Sequence, residues 1–239
     1  MRSALFAAEN LEKESAQPGM RLQNSKMLKI ELNGEVLARV GSMVAYQGNV
    51  QFQALGSGGI GKFLKHKLTG EGVPLMRLTG RGDVFLAHYA ADVHLIDLEP
   101  GDALSINGSS VLAFEPTLDY DIKMVGGAGM ISSGLFNCVF TGHGRIAITT
   151  KGTPVVLTVD QPTYVDPQAA VCWSANLQTG YHRAEQLGLG TLLGRRTGEA
   201  FTMSFAGQGF VVVQPSEEPP VSGSGSQEHG GGLLSSLMS

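Results

Sequence analysis

Three stretches of this 239-residue chain share one form, and their spacing constrains the fold more than any other feature. They are Leu78-Thr79-Gly80-Arg81-Gly82-Asp83-Val84-Phe85-Leu86-Ala87, Phe140-Thr141-Gly142-His143-Gly144-Arg145-Ile146-Ala147-Ile148 and Phe205-Ala206-Gly207-Gln208-Gly209-Phe210-Val211-Val212-Val213. Each runs apolar, small, Gly, polar, Gly, any residue, then a β-branched or apolar run. A Gly-x-Gly between two strand-like runs predicts a tight connection at positive φ, which only glycine enters cheaply. Gly80, Gly82, Gly142, Gly144, Gly207 and Gly209 are therefore expected at hairpin turns. A phosphate cradle would set its glycines before a helix, whereas strand-like runs follow here. Arg81-Gly82-Asp83 spells a cell-adhesion tripeptide, but in one copy of three, so it carries no weight.

A second unit recurs in step with the first. Val44-Ala45-Tyr46 with Val50, Leu112-Ala113-Phe114 with Leu118, and Val171-Cys172-Trp173 with Leu177 keep a small residue, an aromatic and a later apolar residue in place. The aromatics predict a repeated core layer, with a ring of stacking platforms as the alternative. A glycine-rich excursion follows in each copy: Gly56 to Gly61, Gly126 to Gly129, and Gly188 to Gly190. Repeats of about 60 residues imply units that each leave apolar surface for a neighbour to cover. The expected organisation is an N-terminal arm over 1–25, a triple-repeat β body over 26–215, and a disordered Ser/Gly-rich tail over 216–239 ending in a short apolar tag. Within the body, Asn33-Gly34 between two apolar runs predicts a hairpin.

Composition bounds the function. Charged residues are 16% and the net charge is −4, so no basic field attracts nucleic acid. Cys138 and Cys172 lie in apolar runs and read as buried free thiols rather than a disulfide framework. No apolar run is long enough for a transmembrane helix, and the start does not read as a signal peptide, so a cytoplasmic protein is expected.

The triple unit, the glycine-rich excursions and the run Gly80-Arg81-Gly82-Asp83-Val84-Phe85-Leu86 together resemble the bacterial branch of the altered-inheritance-of-mitochondria protein twenty-four family, over nearly all of residues 26–215. The resemblance implies an all-β fold of three fused, quasi-equivalent short double-stranded β-helix units. Each would be like the unit of the tryptophan-activated RNA-binding attenuation protein. It also implies a homotrimer presenting nine such units in a ring. It carries over no catalytic residues. The attenuation protein's RNA and tryptophan contacts map onto no motif here.

The candidate chemistry is thin. His88 and His94 are an even number of residues apart, which would put both on one face of a regular strand, with Asp92 and Asp97 nearby. No compact spacing of three or four metal ligands appears, and no Gly-x-Ser-x-Gly elbow stands in the body. No catalytic, cofactor or metal site is expected, and the chain does not read as an enzyme. The most distinctive local chemistry is Gly59 to Leu68. As a helix it would set Ile60, Phe63, Leu64 and Leu68 on one face, with Lys62, Lys65 and Lys67 supplying positive charge. Those lysines are candidate contacts to an anionic membrane surface. The expected function is a non-enzymatic scaffold whose ring surface meets protein partners, with membrane-surface binding and RNA binding as alternatives.

Overall fold

The computed structural model describes residues 2–14, 18–55, 73–124, 136–183 and 201–216. The strands are β1 (Gly19–Asn24), β2 (Met27–Arg39), β3 (Met43–Ala54), β4 (Leu75–Leu86), β5 (Asp92–Leu98), β6 (Ala103–Asn107), β7 (Val111–Phe114), β8 (Leu118–Met124), β9 (Phe136–Gly142), β10 (Gly144–Thr150), β11 (Val155–Val159), β12 (Thr163–Val165), β13 (Ala170–Ser174), β14 (Gln178–Arg183), β15 (Phe201–Ala206) and β16 (Gly209–Val213). Among the described residues there is no α-helix, and no helix is long and apolar enough to cross a membrane. Every strand pair is antiparallel. The pairs form three sheets: β3-β4-β2-β7-β10-β5 with β1 on β2, then β11-β16-β13-β6-β9-β8, then β12-β15-β14.

The first Gly-x-Gly is not a hairpin turn. β4 runs straight through it, paired with β2 from Arg39↔Leu75 to Leu28↔Leu86. Asn33-Gly34 is not a hairpin either, because β2 is one strand of 13 residues. The glycines answer a different need. Gly34 lies opposite Gly80, and Gly48 lies opposite Gly82, so glycines face one another across three strands. A Cβ on Gly82 would sit 2.0 Å from the Gln47 carbonyl oxygen, and one on Gly80 would sit 2.2 Å from that of Asn49. Bare backbones therefore approach where a side chain would part them, and the sheet bends without breaking.

The later copies use the bend to change sheets. β9 ends at Gly142 in the second sheet and β10 begins at Gly144 in the first. β15, in the third sheet, gives way across Gly207-Gln208 to β16 in the second. The expectation of positive φ holds at Gly80, Gly82, Gly142, Gly144 and Gly207, while Gly209 has none.

Three apolar clusters follow one another along the chain. The first gathers Leu28, Ile30, Leu78, Val84 and Leu86 with Leu112 and Ala147. The second gathers Ile106, Phe114, Phe140 and Ile146 with Leu37, Leu75, Val171 and Cys172. The third centres on Trp173, Phe205 and Val211. The first two clusters thus take in residues from a neighbouring stretch of the chain, which ties the stretches into one body. Each fully buried Leu, Ile or Phe contributes about 1.5–3 kcal/mol.

The N-terminal arm supplies β1, and Met20 enters the first cluster. Ahead of β1 the arm is pinned by Gln23, which donates to the Leu11 carbonyl and accepts from Lys13 N–H. The glycine-rich excursions, the amphipathic stretch with Lys62, Lys65 and Lys67, and the C-terminal apolar tag lie outside the described residues.

Candidate functional site

The recurring aromatics sit on strands built alike. Phe114 of β7 faces Ile146 and Ala113 faces Ala147, with an irregular step before Val111↔Ile148. Trp173 of β13 faces Val211 and Cys172 faces Val212, with the same step before Ala170↔Val213. Tyr46 of β3 faces Val84 and Ala45 faces Phe85, and the step recurs before Met43↔Leu86.

Their other edges differ. β7 is also paired with β2 through Leu37↔Phe114 and Ala38↔Ala113. β13 is also paired with β6 through Ser105↔Trp173 and Ile106↔Cys172. β3 ends its sheet. Phe114 is 0% exposed and Trp173 is buried, whereas Tyr46 is 50% exposed, with Val44 and Met43 also in solvent. The repeated core layer expected of these aromatics holds for Phe114 and Trp173, and Tyr46 departs from it.

Tyr46 is nonetheless arranged as a core residue. Its ring meets Phe52 edge-on, with centroids 5.1 Å apart and planes at 66°. Phe114 meets Tyr120 at 5.0 Å and the same 66°, packed further on Phe140. An apolar, aromatic, open strand edge is a costly surface to leave bare in water.

Among the described residues, β12 offers a second open edge, in the third sheet. β12 pairs with β15 through Thr163↔Phe205, Tyr164↔Ser204 and Val165↔Met203, and it ends its sheet. β6 holds the matching place on β9, with Leu104↔Phe140, Ser105↔Val139 and Ile106↔Cys138. β2 does so on β4, with Val36↔Leu78, Leu37↔Arg77 and Ala38↔Met76. Tyr164 therefore stands where Leu37 and Ser105 stand, and its side chain is 56% exposed.

Several titratable side chains are tied up in structural contacts. Lys29 is buried, its ammonium 2.7 Å from Glu12, 3.5 Å from Glu31 and 3.7 Å from Asp83, and it donates to the Lys13 carbonyl. Burial works to lower its pKa, but the Glu12 hydrogen bond and the fields of Asp83, Glu12 and Glu31 together raise it. Glu31 also pairs with Arg21. Arg145 holds Asp97 by two hydrogen bonds and donates to the Met20 carbonyl. That contact, above all the Arg145 hydrogen bond, lowers the Asp97 pKa. Burial pushes both Cys138 and Cys172 up to about 12.

His88 and His94 do not share a strand face. His88 precedes β5 in a turn whose next residues, Tyr89 and Ala90, have positive φ. His94 lies in β5 with its Nε2 2.9 Å from Thr150 Oγ1. Asp92 is paired with Lys26 at 2.7 Å and Asp97 with Arg145. Among the described residues no three His, Cys, Asp or Glu side chains are grouped to hold a metal.

A model of the family described as Mitochondrial biogenesis AIM24 matches residues 20–216. The chain belongs to this family. The AIM24 match begins within β1 and ends just after β16, so it takes in every strand described here. The crystal structure of a Streptococcus pyogenes protein has a similar fold, with a TM-score of 0.63 and 22% identity, over 83% of this chain and 92% of that one. No curated protein matches the chain.

The open edges of β3 and β12 escaped the sequence reading, which treated the three aromatics as interchangeable. The neighbouring residues carry no signal, since polar residues follow Tyr46 at Gln47, Asn49 and Gln51 just as they follow Phe114 at Glu115, Thr117 and Asp119 and Trp173 at Ser174, Asn176 and Gln178. Terminal copies of a repeat are commonly atypical.

Proposed function

We propose that this AIM24-family chain is a non-enzymatic assembly protein whose work is to build a β ring and present its surface to protein partners. The body reads as three equivalent β units, each like the unit of the tryptophan-activated attenuation protein. A homotrimer would then set nine of them in a ring. The observation that carries this reading is the exposed Tyr46–Phe52 pair, which has the geometry of the pair made by buried Phe114 and half-buried Tyr120. A surface shaped like a core is one that another chain covers. The shared register of β3, β7 and β13 supports the three units, and the resemblance carries the number three for the chains. The titratable groups favour a structural body over a reaction centre, since Lys29, Asp97 and Arg145 are spent on ion pairs that pin the arm and strands.

Sedimentation velocity across a hundredfold range of concentration tests the proposal. A three-chain species that persists into the low micromolar range supports it. A monomer throughout would overturn it.

A further inference from the structure

The two open edges match each other residue by residue. Along the chain, the strand before each aromatic unit pairs with the aromatic strand of the next copy. β2 takes β7 and β6 takes β13, in one register: Leu37↔Phe114 with Ala38↔Ala113, then Ser105↔Trp173 with Ile106↔Cys172. The series has one donor edge left over, β12, and one aromatic edge left over, β3. They lie in different sheets, and no strand of the same chain pairs with either on its outer side among the described residues.

We infer that β12 of one copy pairs antiparallel with β3 of the next, in the register Tyr164↔Tyr46 and Val165↔Ala45, so that the chains join head to tail. This rests on the assembly reading above and deepens it by naming the seam. The register follows from substitution. On their inner partners, Leu37, Ser105 and Tyr164 face Arg77, Val139 and Ser204, at one place in each copy. What faces Leu37 and Ser105 on the outer side is Phe114 and Trp173, and Tyr46 is their counterpart in β3.

The chemistry agrees. In the second cluster, Leu37 and Leu75 from the preceding copy pack with Phe114, and Tyr120 lies against the same cluster. At the seam Tyr164 would take the Leu37 place over Tyr46 and Phe52. Two tyrosines suit a junction that opens to water before it closes, since each is apolar in body and wet at its tip. The junction is heterologous, using two different edges, so each copy keeps one free edge until the ring closes.

Paired residues of antiparallel strands have Cα atoms about 4.5–5.5 Å apart, within the span of a disulfide. A Tyr46→Cys, Tyr164→Cys double variant is therefore expected to cross-link under mild oxidation into dimers and larger covalent species up to the closed ring. The native thiols are buried and stay out of the reaction. Either single variant is expected to remain uncross-linked. So is the one-residue slip, Tyr46→Cys with Val165→Cys, because neighbours on a strand point to opposite faces.

A second arm needs no new bond. Tyr46→Asp and Tyr164→Asp each block one edge, and both sites are exposed in the single chain. Each variant is expected to weaken its seam by about 30-fold or more, as loss of a buried aromatic anchor does. Each is also expected to keep the wild-type circular dichroism spectrum. Mixed together, the two leave one intact edge of each kind, so a one-to-one dimer forms and stops.

Cross-linking of the Tyr46→Cys single variant would show a two-fold junction and overturn the inference. Either aspartate variant assembling like the wild type would also overturn it. If the wild type assembles but both aspartate variants assemble equally well, the seam falls and the assembly reading stands. A monomeric wild type removes both.

Discussion

Replacing Gly82 with alanine tests the bend that organises the first sheet. The added Cβ would lie 2.0 Å from Gln47 O and 3.2 Å from Gly48 Cα, both backbone atoms of β3, at φ +153°. Ordinary contacts need more than an ångström of further separation, and no side chain can swing away to provide it. β3 and β4 must part locally, which loses one or two hydrogen bonds at about 1 kcal/mol each. The disfavoured backbone conformation adds about 1–2 kcal/mol, and residual crowding about 1 more. The total is about 4 kcal/mol, a large share of a stability on the order of 5–15 kcal/mol. Gly101→Ala is the control: its φ is +100° with nothing within 4 Å of the new Cβ, so it meets only the backbone cost. With an m-value of roughly 2 kcal/mol/M in urea, Gly82→Ala should lower the unfolding midpoint by about 2 M and Gly101→Ala by less than about 1 M. Both are best measured in the Tyr46→Asp background, where association does not add to apparent stability. A Gly82→Ala midpoint within about 0.3 M of the Gly101→Ala one would refute the close-approach argument.

Three further outcomes follow from the described contacts. Lys29→Ala removes the cation that Glu12, Glu31 and Asp83 share and should cost about 2–3 kcal/mol by urea unfolding. It should also make the chain ahead of β1 cleavable by protease under native conditions, and an arm still protected would contradict its assigned role. The Asp97 pKa is depressed in the fold by the Arg145 hydrogen bond, so its contribution is complete above the ordinary value of 3.8 and is lost as pH falls through the lower folded value. Asp97→Asn should therefore lower the urea midpoint at pH 7 and flatten its decline below about pH 4, while parallel pH profiles for variant and wild type would contradict this. Cys138 and Cys172, buried and shifted to about 12, should resist iodoacetamide at pH 8 until urea unfolds the chain; modification at the rate of a free thiol in the native protein would contradict their burial.

The special glycines were legible in the sequence because their constraint is local: glycine is demanded wherever backbones approach closely, whatever surrounds them. Thus Gly80, Gly142 and Gly207 marked corresponding places, and their positive φ values could be read directly. What the chain does at those glycines was not legible. The same local requirement serves a hairpin, a bend in a continuing strand or a crossing between sheets. Asn33-Gly34 makes the point, since its signal is that of a two-residue hairpin until one knows that Gly34 faces Gly80 on a neighbouring strand. Phe114 and Trp173 were readable as core by their type. Tyr46 was not readable as an edge, because its exposure comes from which strands pair beside β3 and not from its neighbours in sequence. The His88–His94 spacing failed for a simpler reason: the strand begins only at Asp92.

Amide hydrogen exchange of the β3 peptide, compared between the wild type and Tyr164→Asp, tests the head-to-tail ring most directly. Residue 164 and β3 lie in different sheets and do not pair with each other within the described chain, so a change at β3 reads contact between copies. The account predicts slow exchange along Met43 to Gln47 in the wild type and faster exchange there in the variant, with the amides of β7 and β13 unchanged. Identical β3 exchange in the two proteins would contradict it.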